Sequence, residues 1–187
     1  MKIMSYSFYA RDTVDVARDL LGKILVRKIG SKTISGIIIE TEAYKYKDDP
    51  ASHSFVGSTE RNKAMFGPVG MAYVYFTYGM HHCVNAVARD RNYEAGAVLI
   101  RALEPKEGVN FMIKQRKTDQ ISNLTNGPAK LTQALQITKK QYGEDLTKPS
   151  SLFIAEGIKI KEPDIIEKPR VGIKKALDKL WNFSIQT

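Results

Sequence analysis

The chain has 187 residues, 43% of them hydrophobic and 26% charged. That balance excludes a disordered segment, and the length allows roughly 70% of the unfolded chain's surface to be buried without a covalent staple. A single cysteine, Cys83, excludes an intramolecular disulfide framework and a thiolate zinc cluster and fits a reducing compartment.

In chain order, residues 11–22 read as a short helix capped by Thr13, with Val14, Ala17 and Leu20/Leu21 as its apolar stripe and Gly22 as its stop. The start is broken by Arg11 and Asp12 before a signal-peptide core can form. Residues 23–29 and 33–44 read as two strands around a Gly30-Ser31-Lys32 turn. Residues 45–70, punctuated by Asp-Pro, Gly-Ser and Gly-Pro pairs, read as a long loop, of the kind that usually carries function or motion. Residues 71–77 and 82–88 flank Tyr78-Gly79-Met80 as a hairpin, and 97–103 is a further strand. Helices are expected over 109–116 and from Pro128 onward, and short strands around 152–155, 158–160 and 180–185. Strands in series with few helices, without β-α-β alternation, predict an α+β fold with a mostly antiparallel sheet. No run of about 18 apolar residues is present to cross a membrane.

Lys plus Arg is 29 and Asp plus Glu 20, a net charge of +9. This is either the chance surplus of a basic protein or the footprint of a polyanionic partner such as nucleic acid. The run from Ile37 to Tyr44 is the sharpest local feature. Period-2 alternation sets Ile38, Glu40, Glu42 and Tyr44 on one face. Two carboxylates at the end of an isoleucine run are either an exposed or salt-bridged strand end or a general base beside an aromatic wall. Tyr73 and Tyr75 share a face as core or as a shelf for a ligand, and Tyr78 at the hairpin tip suits a wedge between base pairs. Arg101 in the strand AVLIRAL is paired with a carboxylate or aimed at an anion. His53, His81 and His82 show no metal-ligand spacing, and Cys83 reads as a small core residue.

Taken together, the stretches ARDLLGK, ETEAY, ASHS, RNKAMF, YVYFTYGM, Asn85, VLIRALEP, NGPAKL and RVGI resemble, in order and over nearly the whole chain, the alkyladenine (3-methyladenine) DNA glycosylase family. The resemblance implies one compact glycosylase domain over residues 1–187, with a curved sheet, flanking helices, a protruding hairpin and no cofactor or metal. It implies base excision repair: an alkylated or deaminated purine is flipped from duplex DNA and its N-glycosidic bond hydrolysed, without a strand-cleaving lyase step. By the same likeness Glu42 matches the general base and Arg101 a residue that helps hold the water and the flipped nucleotide. Tyr44, His53 and Tyr75 match the walls of the base pocket, and Asn85 the residue that disfavours guanine. Tyr78, with Met80 beside it, matches the DNA-contacting tip. Glu40 is expected to be structural, in a hydrogen-bond network. The expected partner is double-stranded DNA carrying damaged purines, followed by abasic-site repair enzymes. The expected protein is a monomer located with the DNA inside the cell and away from membranes. Two rivals are a non-catalytic nucleic-acid-binding module and an unrelated glycoside hydrolase using Glu40 and Glu42.

Overall fold

The computed structural model describes residues 1–77 and 79–186. In chain order the main elements are α1 (Tyr6–Tyr9), α2 (Thr13–Asp19), β1 (Ile24–Ile29), β2 (Lys32–Lys45), β3 (Ala72–Thr77), β4 (His81–Val87), β5 (Gly96–Glu107), α3 (Val109–Arg116), α4 (Pro128–Ala134), β6 (Leu152–Ala155), β7 (Ile165–Lys168) and β8 (Asn182–Ile185). This is an α+β fold built on one antiparallel sheet of order β3-β4-β5-β2-β1-β6, with β8 also on β2 and β7 on β8. β2 is its axis. β5 lies along one edge of β2 from Ser35 to Lys45, while the other edge is divided between β1, up to Ile37, and β8, from Glu40 to Glu42. Dividing an edge between two strands curls the sheet around β2.

Of the three register shifts between β2 and β5, two bulges fall within the run from Ile37 to Tyr44 where alternation was expected. Ile38 faces Leu103 and Glu40 faces Ala102, so Ile39 is the extra residue on β2; Thr41 then faces Ile100, so Arg101 is the extra residue on β5. The first bulge reverses the phase of the strand. Ile34 and Ile38 before it, and Ala43 after it, all join the main core. Ile38 therefore does not share a face with Glu40, Glu42 and Tyr44, contrary to the unbroken alternation. Ile38 is buried in the core because it lies before the bulge, Ile37 and Ile39 are only partly buried, and the carboxylates leave the core because they lie after it.

The main core packs one sheet face, with Val74, Val84, Ala86, Val98 and Ile100, against Val16, Ala17 and Leu20 of the α2 segment, Met112 of α3 and Leu131 and Ala134 of α4. The alternate residues of the same strands point to the other face, where Tyr73, Met65, Val87 and Ala97 form a second cluster bordered by Tyr75 and Tyr46.

Two further expectations are corrected. The cap of α2 is Asp12, whose carboxylate accepts from the Val14 N–H at 2.8 Å. Thr13 is buried and its hydroxyl donates to the Ala88 carbonyl at 2.9 Å, a buried acceptor that would otherwise lack a partner. Residues 158–160 form no strand. The chain there passes Gly22 so closely that a Cβ on Gly157 would lie 2.1 Å from the Gly22 carbonyl oxygen. The Ile158 N–H donates to that carbonyl at 3.0 Å. α1, β7 and four short 3-10 turns carry no strong period and were not legible in the sequence. Among the described residues no helix is long and apolar enough to cross a membrane.

Candidate active site

The register of the sheet draws five residues into one lateral row: Tyr73 on β3 faces Asn85 on β4, Asn85 faces Leu99 on β5, Leu99 faces Glu42 on β2, and Glu42 faces Asn182 on β8. Direct cross-strand partners place their side chains on the same face, within reach of one another. A cavity of about 550 Å³ opens over this row. Its walls include Tyr44, His53, Tyr73, Tyr75, Cys83, Asn85, Leu99 and Arg101 from the sheet face and the long loop, Ala129 at the start of α4, and the turn from Val171 to Lys175.

Glu42 lies directly behind this wall. It is fully buried, and it is absent from the lining, but its partners Tyr44, Arg101 and Val171 all line the cavity. A buried carboxylate is tolerated only when its oxygens are hydrogen-bonded. Oε1 accepts from the Val171 N–H at 2.7 Å and from Asn182 Nδ2 at 2.9 Å. Oε2 accepts from the Tyr44 hydroxyl at 2.7 Å, with an Arg101 guanidinium nitrogen at 3.4 Å in ion-pair contact. Glu40 joins the same network, as its reading as a structural residue expects: Oε1 accepts from Arg101 Nε at 3.2 Å and Asn182 Nδ2 at 2.9 Å, with Lys168 Nζ at 3.8 Å. Of the two alternatives left open for Arg101 the pairing is observed, since it contacts two carboxylates, and it also lines the cavity.

The aromatic wall is built from β2, β3 and the loop. His53 packs edge-on to Tyr75 at 4.7 Å between centroids, and its Nδ1 lies 3.0 Å from the Tyr73 hydroxyl. Asn62 holds this loop by donating to the His53 carbonyl at 2.7 Å. Burial, reinforced by Arg61, lowers the His53 pKa and favours the neutral ring. Burial, then the charge and hydrogen bond of Glu42, pushes the Tyr44 phenol far up, and burial does the same for Tyr75, so both rings stay neutral. Asn85 is buried and donates to the Tyr73 carbonyl at 3.0 Å. Cys83 is buried as expected, yet it also lines the cavity, and burial raises its thiol pKa.

Met80 stands at the hairpin tip, 69% exposed, and Phe76 lower on the hairpin is half exposed. Tyr78 lies outside the described residues. On the far flank of the hairpin a second cavity of about 530 Å³ shares His81 and Ala129 with the first. No group of three or more His, Cys, Asp or Glu is gathered for a metal ion among the described residues.

Three contributors were not singled out from the sequence. Asn182 comes from a strand 140 positions from Glu42. The Val171 N–H is a backbone donor, which any residue type supplies. Arg170, inside the RVGI stretch, is fully buried in a two-pronged pair with Asp49 at 2.6 and 2.7 Å, donates to the Ala43 carbonyl and stacks 4.7 Å from the Tyr44 ring. An arginine so held fixes Tyr44 and delivers Val171 to Glu42. The one signal available beforehand was alternation around Asn182, which sets Asn182 and Ser184 opposite Trp181 and Phe183.

The description of the methylpurine-DNA glycosylase family matches residues 7–187. The chain is similar to a protein of Carboxydothermus hydrogenoformans named "putative 3-methyladenine DNA glycosylase", with 46% identity over 98% of this chain and 95% of the relative. Proteins of the same name from Prosthecochloris aestuarii and Clostridium acetobutylicum are 48% and 44% identical, over 93% and 96% of this chain and 83% and 92% of theirs.

Proposed function

Because this chain belongs to the methylpurine-DNA glycosylase family, we propose that it is a DNA glycosylase that excises alkylated or deaminated purines from duplex DNA by hydrolysis, through a water activated by Glu42. The observation that carries the reading is the carboxylate of Glu42 set one residue behind a cavity walled by Tyr44, His53 and Tyr75. A purine flipped into that cavity stacks on neutral rings, and an alkylated, electron-poor purine gains a cation–π contribution there. Oε1 of Glu42 already holds two strong donors, whereas Oε2 holds one and an ion-pair contact. A water beside Oε2 and Arg101 would pass its proton to Glu42 as its oxygen bonds to C1′. The C1′–N9 bond breaks in the same step, and its electron pair leaves with the purine. The carboxylate also stabilises the oxocarbenium-like sugar, as in glycoside hydrolysis.

The remaining roles follow the family likeness. Asn85, held rigid by the Tyr73 carbonyl, disfavours a guanine 2-amino group. Tyr78 and Met80 contact the DNA, with Tyr78 filling the gap left by the flipped nucleotide. The reaction is hydrolytic without a lyase step, because the nucleophile in this reading is the water at Glu42 and not Lys174 or Lys175 of the cavity wall. The partner is duplex DNA containing damaged purines, bound by a single copy of a one-domain protein. The product abasic site is handed to repair enzymes that act on it.

The reading is tested by incubating the protein with duplexes containing hypoxanthine or a methylated purine and scoring released base and strand cleavage separately. Free base with an intact strand supports it. Binding without release identifies a non-catalytic module, and release with cleavage at the abasic site contradicts the hydrolytic step.

A further inference from the structure

Asn182 is fully buried in β8, is not part of the cavity wall, and has an unusual pattern of contacts. One amide nitrogen serves two carboxylates, Glu40 Oε1 and Glu42 Oε1, each at 2.9 Å. Its Oδ1 is buried without a partner among the described residues. The orientation is dictated by chemistry: a flipped amide would press a carbonyl against two carboxylates. An orphaned buried carbonyl is costly. Leucine has similar volume and would avoid that cost, so packing alone does not explain asparagine here.

A two-hydrogen donor between two carboxylates does explain it. Serine or threonine offers one hydrogen. Lysine or arginine would add a second cation to the one Arg101 already supplies, and would weaken Glu42 as a proton acceptor. Asn182 saturates Oε1 together with the Val171 N–H, adds no charge, and is lateral neighbour to Glu42 in the sheet register. We propose that Asn182 is a positioning residue: it holds Glu40 and Glu42 apart by bonding both, fixes the Glu42 rotamer, and leaves Oε2 as the oxygen that takes the proton. This rests on the reading of Glu42 as the general base. The charged and titratable groups facing Glu42 are Glu40 and Tyr44 on β2, Arg101 on β5, Cys83 on β4, Lys168 on β7 through Glu40, and Arg170 through Tyr44.

The test compares Asn182→Leu and the isosteric Asn182→Asp with wild type in single-turnover base release across pH, with thermal unfolding and duplex affinity measured alongside. Asn182→Leu is expected to lower the rate roughly 10- to 100-fold, as a misplaced catalytic group does, and to move the acid limb of the pH profile to higher pH. Asn182→Asp adds a third carboxylate and moves that limb further. Affinity for duplex stays unchanged, since Asn182 is not in the cavity wall. Adding Glu40→Gln, which removes the repelling charge, restores part of the lost rate. If Asn182→Leu is as stable as wild type with the same rate and pH profile, or if Asn182→Asp leaves the acid limb in place, the inference is overturned. Should Asn182→Leu not fold, Asn182→Asp decides alone by its pH profile. Failure of the underlying reading is distinct: Glu42→Gln would then keep its rate whatever Asn182 does.

Discussion

His53 is a group in the cavity wall whose charge can change near neutral pH. Burial and the neighbouring Arg61 disfavour its imidazolium, so the folded protein holds this proton less readily than the unfolded chain. Stability from this source is complete above the ordinary histidine value, near 6.5, and is lost as the pH falls through the lower folded value. Burial shifts His82 in the same direction. The free energy of unfolding by urea should therefore decline between about pH 7.5 and about pH 5, and His53→Gln should flatten part of that decline. An identical pH slope in the variant would contradict the assignment. At this scale, what the sequence revealed was chemical oddity: carboxylates at the end of an isoleucine run, an arginine in an apolar strand. It could not reveal Asn182 or the Val171 N–H. The first depends on a pairing between distant strands, and the second is a backbone group without a residue signature.

Among the elements, β2 teaches the most about what patterning carries. Glu40, Glu42 and Tyr44 were correctly placed on a common face, but Ile38 was not, because a bulge inserts Ile39 and reverses the phase. Nothing in Ile37-Ile38-Ile39 marks which isoleucine is extra; the compensating bulge at Arg101 on another strand determines it. The hairpin of β3 and β4 was legible because its alternation and its turn residues agree, and the helix Val109–Arg116 and the strand Leu152–Ala155 also lie where the sequence put them. Residues 158–160 misled by composition, since their backbone is committed to Gly22 instead of a strand ladder. That contact yields a prediction. A Cβ at position 157 would meet backbone, which cannot swing aside. Gly157→Ala should destabilise the fold by about 1–3 kcal/mol, the range for forced overpacking. A urea midpoint unchanged within error would show that the two backbones do not approach as described.

For the whole molecule, the net charge of +9 has a defined place to act. Among the described residues the cavity wall includes Arg101, Lys174 and Lys175 and contains no Asp or Glu, although Glu42 stands directly behind it. The lining thus presents cationic side chains, and no carboxylate, to an approaching phosphate. Affinity for duplex DNA should fall linearly on a logarithmic salt scale as counterions are released. If four phosphates are neutralised, the loss between about 50 and about 200 mM salt is on the order of 10²-fold. Equilibrium titrations over that range check this, and a flat response would remove DNA-backbone contact from the account.

The central claim is that Glu42, and not Glu40, activates the water. Glu42→Gln preserves shape while removing the charge and the basic oxygen, whereas Glu40 is held in the Arg101–Asn182 network away from the Tyr44 hydroxyl. The deciding measurement is single-turnover base release from a hypoxanthine duplex by Glu42→Gln and Glu40→Gln, each first shown to be folded and to bind the duplex. The account predicts that Glu42→Gln binds with near wild-type affinity but loses about 10²–10⁴-fold or more in rate, while Glu40→Gln loses more stability than rate. Wild-type turnover by Glu42→Gln together with an inactive Glu40→Gln would place the base two residues earlier on the strand and contradict the account.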